Sequence, residues 1–191
     1  MKKILLLLAA TAMVSCNSNQ KTSGSTDSSK TDTTKTTTST TTTEKKTESD
    51  PTSWNYQTDT DKMTSKLSYF AAINSTNKLQ FGAPYEGGST ATNTIRNKAK
   101  KNEIILTIDK GQFICDVSDG CAIKVRFDSD PAISFEGSEP SDYSSTTLFI
   151  HPEPKFIAHA KTAKKMIVEA EFYQEGMQDM EFNTAGLKWE H

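Results

Sequence analysis

Thirty-seven consecutive residues, 17 to 53, contain no Ala, Val, Ile, Leu, Met, Phe, Trp, Tyr or Cys. Ser and Thr fill 22 of these positions, and five lysines balance five acids (Asp27, Asp32, Glu44, Glu48 and Asp50). Such a segment has no apolar surface whose burial would offset the entropy of ordering it. It is expected to be a flexible tether, with a coil span of roughly 30–35 Å from the square-root dependence on length. The fold is therefore confined to residues 54 to 191, which hold every aromatic residue and every Arg of the chain. The hydrophobic content of 34% is lowered by the tether, which contributes no residue of that set. The net charge is −2 for the chain and −4 for residues 54 to 191, so the basic surface of a nucleic-acid binder is not expected.

The residues before the tether read as an export signal. Lys2 and Lys3 make a basic start, and Ile4 to Val14 is an apolar run interrupted only by Thr11. That run is shorter than the ~20 residues a permanent membrane helix needs. Small Ser15 precedes Cys16. Met13-Val14-Ser15-Cys16 resembles the lipobox of bacterial lipoproteins, with Met13 where Leu is usual. The resemblance implies a signal peptide over 1–15 and a lipidated Cys16 as the mature N-terminus of the 16–53 segment. The acyl chains would be the membrane contact. Asn17 is not the residue expected of an inner-membrane retention signal, so an outer-membrane destination is expected.

Within residues 54 to 191 the dominant period is two. Ile104, Leu106 and Ile108 alternate with Ile105, Thr107 and Asp109, and Ile123, Val125 and Phe127 with Lys124, Arg126 and Asp128. Val168, Ala170 and Phe172 alternate with Glu169, Glu171 and Tyr173, and Met180 and Phe182 with Glu181 and Asn183. Each pattern predicts a strand with one buried and one wet face, the habit of antiparallel sheets. Further strands are expected at 66–73, 79–81, 91–96, 133–135 and 146–150. Asp109-Lys110-Gly111 is expected to fold residues 112–115 back as a hairpin. Glu175-Gly176 should close the last hairpin, and Ser118-Asp119-Gly120 should form a tight turn. One helix is expected from Pro154 to about Lys165, with Phe156, Ile157, Ala160 and Ala163 on its apolar face. The architecture expected is mainly β: an antiparallel β-sandwich of about ten short strands with one helix.

Cys115 and Cys121 form an even pair once Cys16 is acylated, and an exported chain should oxidise them across a turn. A pair of free thiols is the alternative. No catalytic motif is legible. His151, His159 and His191 are scattered, and no nucleophile has a base nearby in sequence. Asp128-Ser129-Asp130 begins like a calcium loop but runs into Pro131 without the Gly and Glu that complete one. No metal, cofactor or catalytic residue is therefore assigned. The polar strand faces carrying Arg126, Asp128, Glu169 and Glu171 are the candidate partner-contact face.

Several further segments resemble a family of bacterial envelope proteins without an assigned activity. They are Trp54 with Asp61-Lys62-Met63-Thr64, Pro84-Tyr85 with Gly87-Gly88, Gly111-Gln112-Phe113 with Cys115 and Cys121, and Arg126-Phe127-Asp128. Leu148-Phe149-Ile150, Lys155-Phe156-Ile157, Ala163-Lys164-Lys165, Glu171-Phe172-Tyr173-Gln174 with Gly176, and Gly186-Leu187-Lys188-Trp189 continue the series in order. The resemblance implies one intact domain and supports the Cys115–Cys121 pair. Trp54 with the Asp61–Thr64 segment is also distantly similar to type VI secretion accessory proteins. Together these features imply an envelope lipoprotein whose domain is a non-catalytic module for a protein or glycan ligand. A hydrolase using carboxylates and an accessory subunit of a secretion machine are the alternatives.

Overall fold

The computed structural model describes residues 54–115 and 120–191. The signal segment, Cys16, the Ser/Thr-rich tether and the Ser118-Asp119 part of the expected turn lie outside the described residues. Among the described residues nine strands form one antiparallel sheet, in the order β1-β2-β3-β4-β7-β6-β5-β8-β9. They are β1 (Asn55–Thr60), β2 (Leu67–Asn74), β3 (Ala91–Lys98), β4 (Lys101–Ile108), β5 (Cys121–Phe127), β6 (Ile133–Ser138), β7 (Thr147–His151), β8 (Met166–Phe172) and β9 (Gly176–Phe182). The single helix among the described residues, α1 (Glu153–Thr162), joins β7 to β8.

The period-two residues lie where their alternation requires. Ile104, Leu106 and Ile108 are buried, as are Ile123, Val125 and Phe127, and Val168, Ala170 and Phe172. Buried side chains from all the inner strands belong to one core. One sheet and one short helix enclose that core because the sheet curls until its two ends meet. The Thr76 N–H donates to Glu181 O at 2.7 Å, and the Asn77 side chain brackets β9 at Asp179 O and the Glu181 N–H. At the other end of the seam, Trp54 Nε1 donates to Thr184 O at 3.0 Å and the Tyr56 hydroxyl accepts the Lys188 N–H at 2.7 Å. The two-layer packing expected of a sandwich is thus reached by one continuous ladder. The inner face also carries polar residues, Asn93 and Asn97 of β3 among them, and Asn93 stands apart in its bonding. It is fully buried on β3, and neither side-chain polar atom has a partner among the described residues. Its desolvation opposes the surrounding apolar contacts.

Several elements depart from expectation. Strand β1 has no apolar alternation and is exposed throughout, yet it pairs with β2 from Asn55↔Ala72 to Thr60↔Leu67. Its turn is held by Asp61, whose carboxylate accepts the N–H groups of Met63 at 2.9 Å and Thr64 at 2.8 Å. Those two backbone bonds, Thr64 first, hold the Asp61 carboxyl below its ordinary range. Residues 79–81 form no strand. Leu79 makes one bridge to Ser89, whose hydroxyl is held by Lys110 O and the Lys110 N–H, both at 2.8 Å. The local chain is tied to the end of β4 instead of extending a ladder. Residues 112–115 do not fold back on β4, because β3 and β7 already occupy both of its edges. They run along β8, where Phe113 bridges Phe172 and the Ile114 N–H donates to Glu171 O at 2.9 Å. The helix begins with Pro152 as its N-cap and ends at Thr162, short of Lys165. Ala163 is already extended, and the next two N–H groups are taken by a side chain from β5's end.

Cys115 and Cys121 are joined in a disulfide. It links the segment on β8 to the first residue of β5, which pairs with the same edge of β8 farther along. Removing it with a Cys115→Ala/Cys121→Ala double substitution should lower unfolding stability by about 2 kcal/mol, from the loop-closure entropy of so short a ring. The denaturant midpoint checks this. An unchanged midpoint would mean that the sheet alone fixes the junction.

Candidate functional site

The outer face of β5, β8 and β9 carries the expected partner-contact residues. Pairing aligns them in rows: Lys124 beside Glu169 beside Asp179, and Arg126 beside Ile167 beside Glu181. Lys124 Nζ lies 2.9 Å from Glu169 Oε1. The Lys124 side chain is 58% exposed, so the pair contributes little to stability. Arg126, one row along, makes no ion pair or side-chain hydrogen bond among the described residues.

Two grooves share Arg126 in their linings. One, about 360 Å³, is lined by Thr76, Arg126, Asp128, Lys165, Ile167 and Glu181 among others. The other, about 310 Å³, is lined by Lys124, Arg126, Ala132, Ile167, Glu169 and Asp179. Arg126 and Ile167 belong to both. The site therefore offers a guanidinium unpaired among the described residues, half-buried Ile167 and several acids. That mixture suits an elongated polar ligand with a hydrogen-bond acceptor at its centre.

Of the four expected contact residues, the structure brings three together. Arg126 and Glu169 share the smaller groove, and Asp128 shares the larger one with Arg126. Asp128 is not on the strand. It follows the end of β5 at a φ of 49°, and its Oδ1 accepts the N–H groups of both Lys164 and Lys165 at 2.9 Å. It shapes the wall by holding the chain between α1 and β8. Glu171 points to the same side of β8 but lies one row beyond, opposite Met177, and lines neither groove. Sequence reading missed Thr76, Lys165, Asp179 and Glu181. Thr76 comes from the loop after β2 and reaches the site only because the sheet curls onto β9. Cys16 lies outside the described residues.

The histidines have three different surroundings. His159 stacks on Phe127, with centroids 5.0 Å apart, and His191 stacks on Tyr69 at 3.7 Å. His151, on the β6–β7 part of the sheet, lies between the Ser138 hydroxyl and the Glu153 carboxylate. The strand register thus sets a hydroxyl beside an imidazole 13 residues away, a juxtaposition that sequence spacing does not display. Among the described residues no group of three His, Cys, Asp or Glu is placed to hold a metal ion, and no helix is long and apolar enough to cross a membrane.

Fold and site together define a mainly β domain of one curled sheet with an arginine-centred double groove. No family model, curated protein or solved structure matches the chain.

Proposed function

We propose that this chain is a bacterial envelope lipoprotein whose domain binds a peptide or glycan segment in the grooves around Arg126. Cys16 carries the lipid, residues 17–53 serve as the tether, and the domain works at a distance from the outer membrane. The lipobox-like Met13-Val14-Ser15-Cys16 and the apolar-free segment support the anchor. Arg126, whose guanidinium has no partner among the described residues and which lines both grooves, carries the binding reading. Its planar fork of donors recognises carboxylate, phosphate or sugar oxygens through charge-assisted bonds.

Arrays of envelope glycan fragments and peptides, probed with the purified protein, test the groove. Arg126→Ala should weaken the bound ligand by about tenfold or more, the loss of one charge-assisted hydrogen bond. Lys161→Ala, exposed on α1 and lining neither groove, should change little. Equal binding by wild type and Arg126→Ala would reject the site. Mass spectrometry of protein from native membranes tests the anchor separately. An unmodified Cys16 would reject that part of the reading and leave the groove untouched.

A further inference from the structure

Ser138 ends β6, His151 ends β7, and Glu153 opens α1. In the β6–β7 ladder Glu136 pairs with His151 and Ser138 with Phe149. Ser138 and His151 are therefore on one face of the sheet, diagonally adjacent. Ser138 Oγ is 3.1 Å from His151 Nε2, and His151 Nδ1 is 2.9 Å from Glu153 Oε1. An ionised carboxylate only accepts hydrogen bonds, so Nδ1 carries the proton facing Glu153. In the neutral imidazole Nε2 then holds the lone pair, and it accepts the Ser138 O–H. The order is nucleophile, base, orienting acid, at the separations that activate a serine.

The surroundings match that order. Ser138 is exposed and the His151 side chain is 41% exposed, whereas that of Glu153 is only 18% exposed. The hydroxyl is open to a substrate while the orienting acid is sheltered. Glu153 lies between Pro152 and Pro154, whose rings fix the backbone that presents it. Phe149 pairs directly with Ser138, and Ile105 of β4 pairs with Phe149. Both are half-buried on the outer face, so an apolar track leads away from the hydroxyl. Two hydrogen bonds between partly exposed side chains add little to stability. The sheet does not need them, since β6 and β7 are already joined by their backbone ladder.

We propose that Ser138 is the nucleophile of an acyl-transfer site for carboxylic esters with an apolar acyl group, with His151 as its base and Glu153 as a positioning residue. Ser138 Oγ bonds to the ester carbonyl carbon as its proton passes to His151 Nε2. Collapse of the tetrahedral intermediate breaks the bond to the leaving oxygen, which takes that proton from His151. Water, deprotonated by the same nitrogen, then attacks the acyl carbon; the bond from that carbon to Ser138 Oγ breaks, Oγ takes the proton back from His151 Nε2, and the carboxylic acid leaves. The site is separate from the Arg126 grooves and does not depend on them.

Two probes test it on the full chain: an alkyl fluorophosphonate, which exchanges its P–F bond for a P–O bond to an activated serine, and p-nitrophenyl butyrate. Tandem mass spectrometry should place the phosphonyl adduct on Ser138, and Ser138→Ala should abolish it. The ester should give a burst of about one p-nitrophenolate per chain before turnover. His151→Ala should slow labelling by about 10²-fold or more, the usual contribution of a general base. Glu153→Gln, which keeps size and removes charge, should slow it too, and Glu153→Asp should restore part of the rate. A purely structural role would not show that rescue, and unchanged thermal melting of each variant excludes misfolding. No adduct under conditions that label a control serine hydrolase, or labelling indifferent to His151→Ala, would overturn the proposal.

Discussion

Phe172→Ala is expected to cost about 3–5 kcal/mol of unfolding stability, the range for truncating a buried phenylalanine. Phe172 is 1% exposed. Its ring lies 4.6 Å from that of Phe113 and 5.1 Å from that of Phe81, centroid to centroid. Its backbone pairs with Gly176 in the last hairpin and bridges Phe113 on the other side. One side chain therefore joins the β8–β9 hairpin, the segment leading to Cys115 and the loop holding Phe81. The void cannot close cheaply. Phe81 is wedged over Gly111, where an added Cβ would come within 2.5 Å of the ring, and the disulfide restrains the Phe113 segment. Urea unfolding should show a large fall in midpoint with an unchanged slope. Tyr173→Ala, one residue along and 53% exposed, should stay within about 0.5 kcal/mol of wild type. Comparable losses for both would show that the ring cluster is not what holds these segments.

The elements legible in the sequence are those whose own residues report a buried face. Ile123, Val125 and Phe127 declare β5 without knowing their neighbours, and Phe156, Ile157 and Ala160 declare the inner face of α1. The Cys115–Cys121 pair is legible from the even count left once the signal-like segment and its Cys16 are set aside. Strand β1 is not, because an exposed edge strand needs no apolar alternation. Its pairing comes from β2, and its turn from the Asp61 carboxylate. Residues 112–115 pair with β8 and not with β4 for a related reason. Turn chemistry says that the chain reverses, but not which edge remains open to receive it. The same limit hides Ser138, His151 and Glu153. Ser138 and His151 are 13 residues apart and match no motif spacing; only the β6–β7 register sets hydroxyl against imidazole. The Arg126 grooves are half legible. The alternation exposes Arg126 and Glu169, but curling of the sheet supplies Thr76.

Register also determines where the fold tolerates no side chain at all. Gly137 of β6 pairs with Cys121 of β5, and a Cβ built on it would lie 2.6 Å from Cys121 Cβ, 2.7 Å from Ile123 Cδ1 and 3.0 Å from Cys121 O. Neither neighbour can withdraw easily. Cys121 is 4% exposed and tied to Cys115, and Ile123 is 1% exposed within the core. Gly137→Val should therefore push β6 away from β5 and destabilise the domain by about 3 kcal/mol or more, at or beyond the upper end of ordinary overpacking. Gly176→Ala is the informative comparison. Its φ is +67°, but nothing lies within 4 Å of the added Cβ, so it should cost only the backbone strain of about 1 kcal/mol. Thermal and urea unfolding of the two variants separate space from backbone conformation. Because β6 carries Ser138 at its end, Gly137→Val should also shift that hydroxyl from His151 and slow fluorophosphonate labelling, while Gly176→Ala leaves labelling unchanged. A Gly137→Val protein as stable as wild type would mean that β5 and β6 do not approach as closely as their pairing requires.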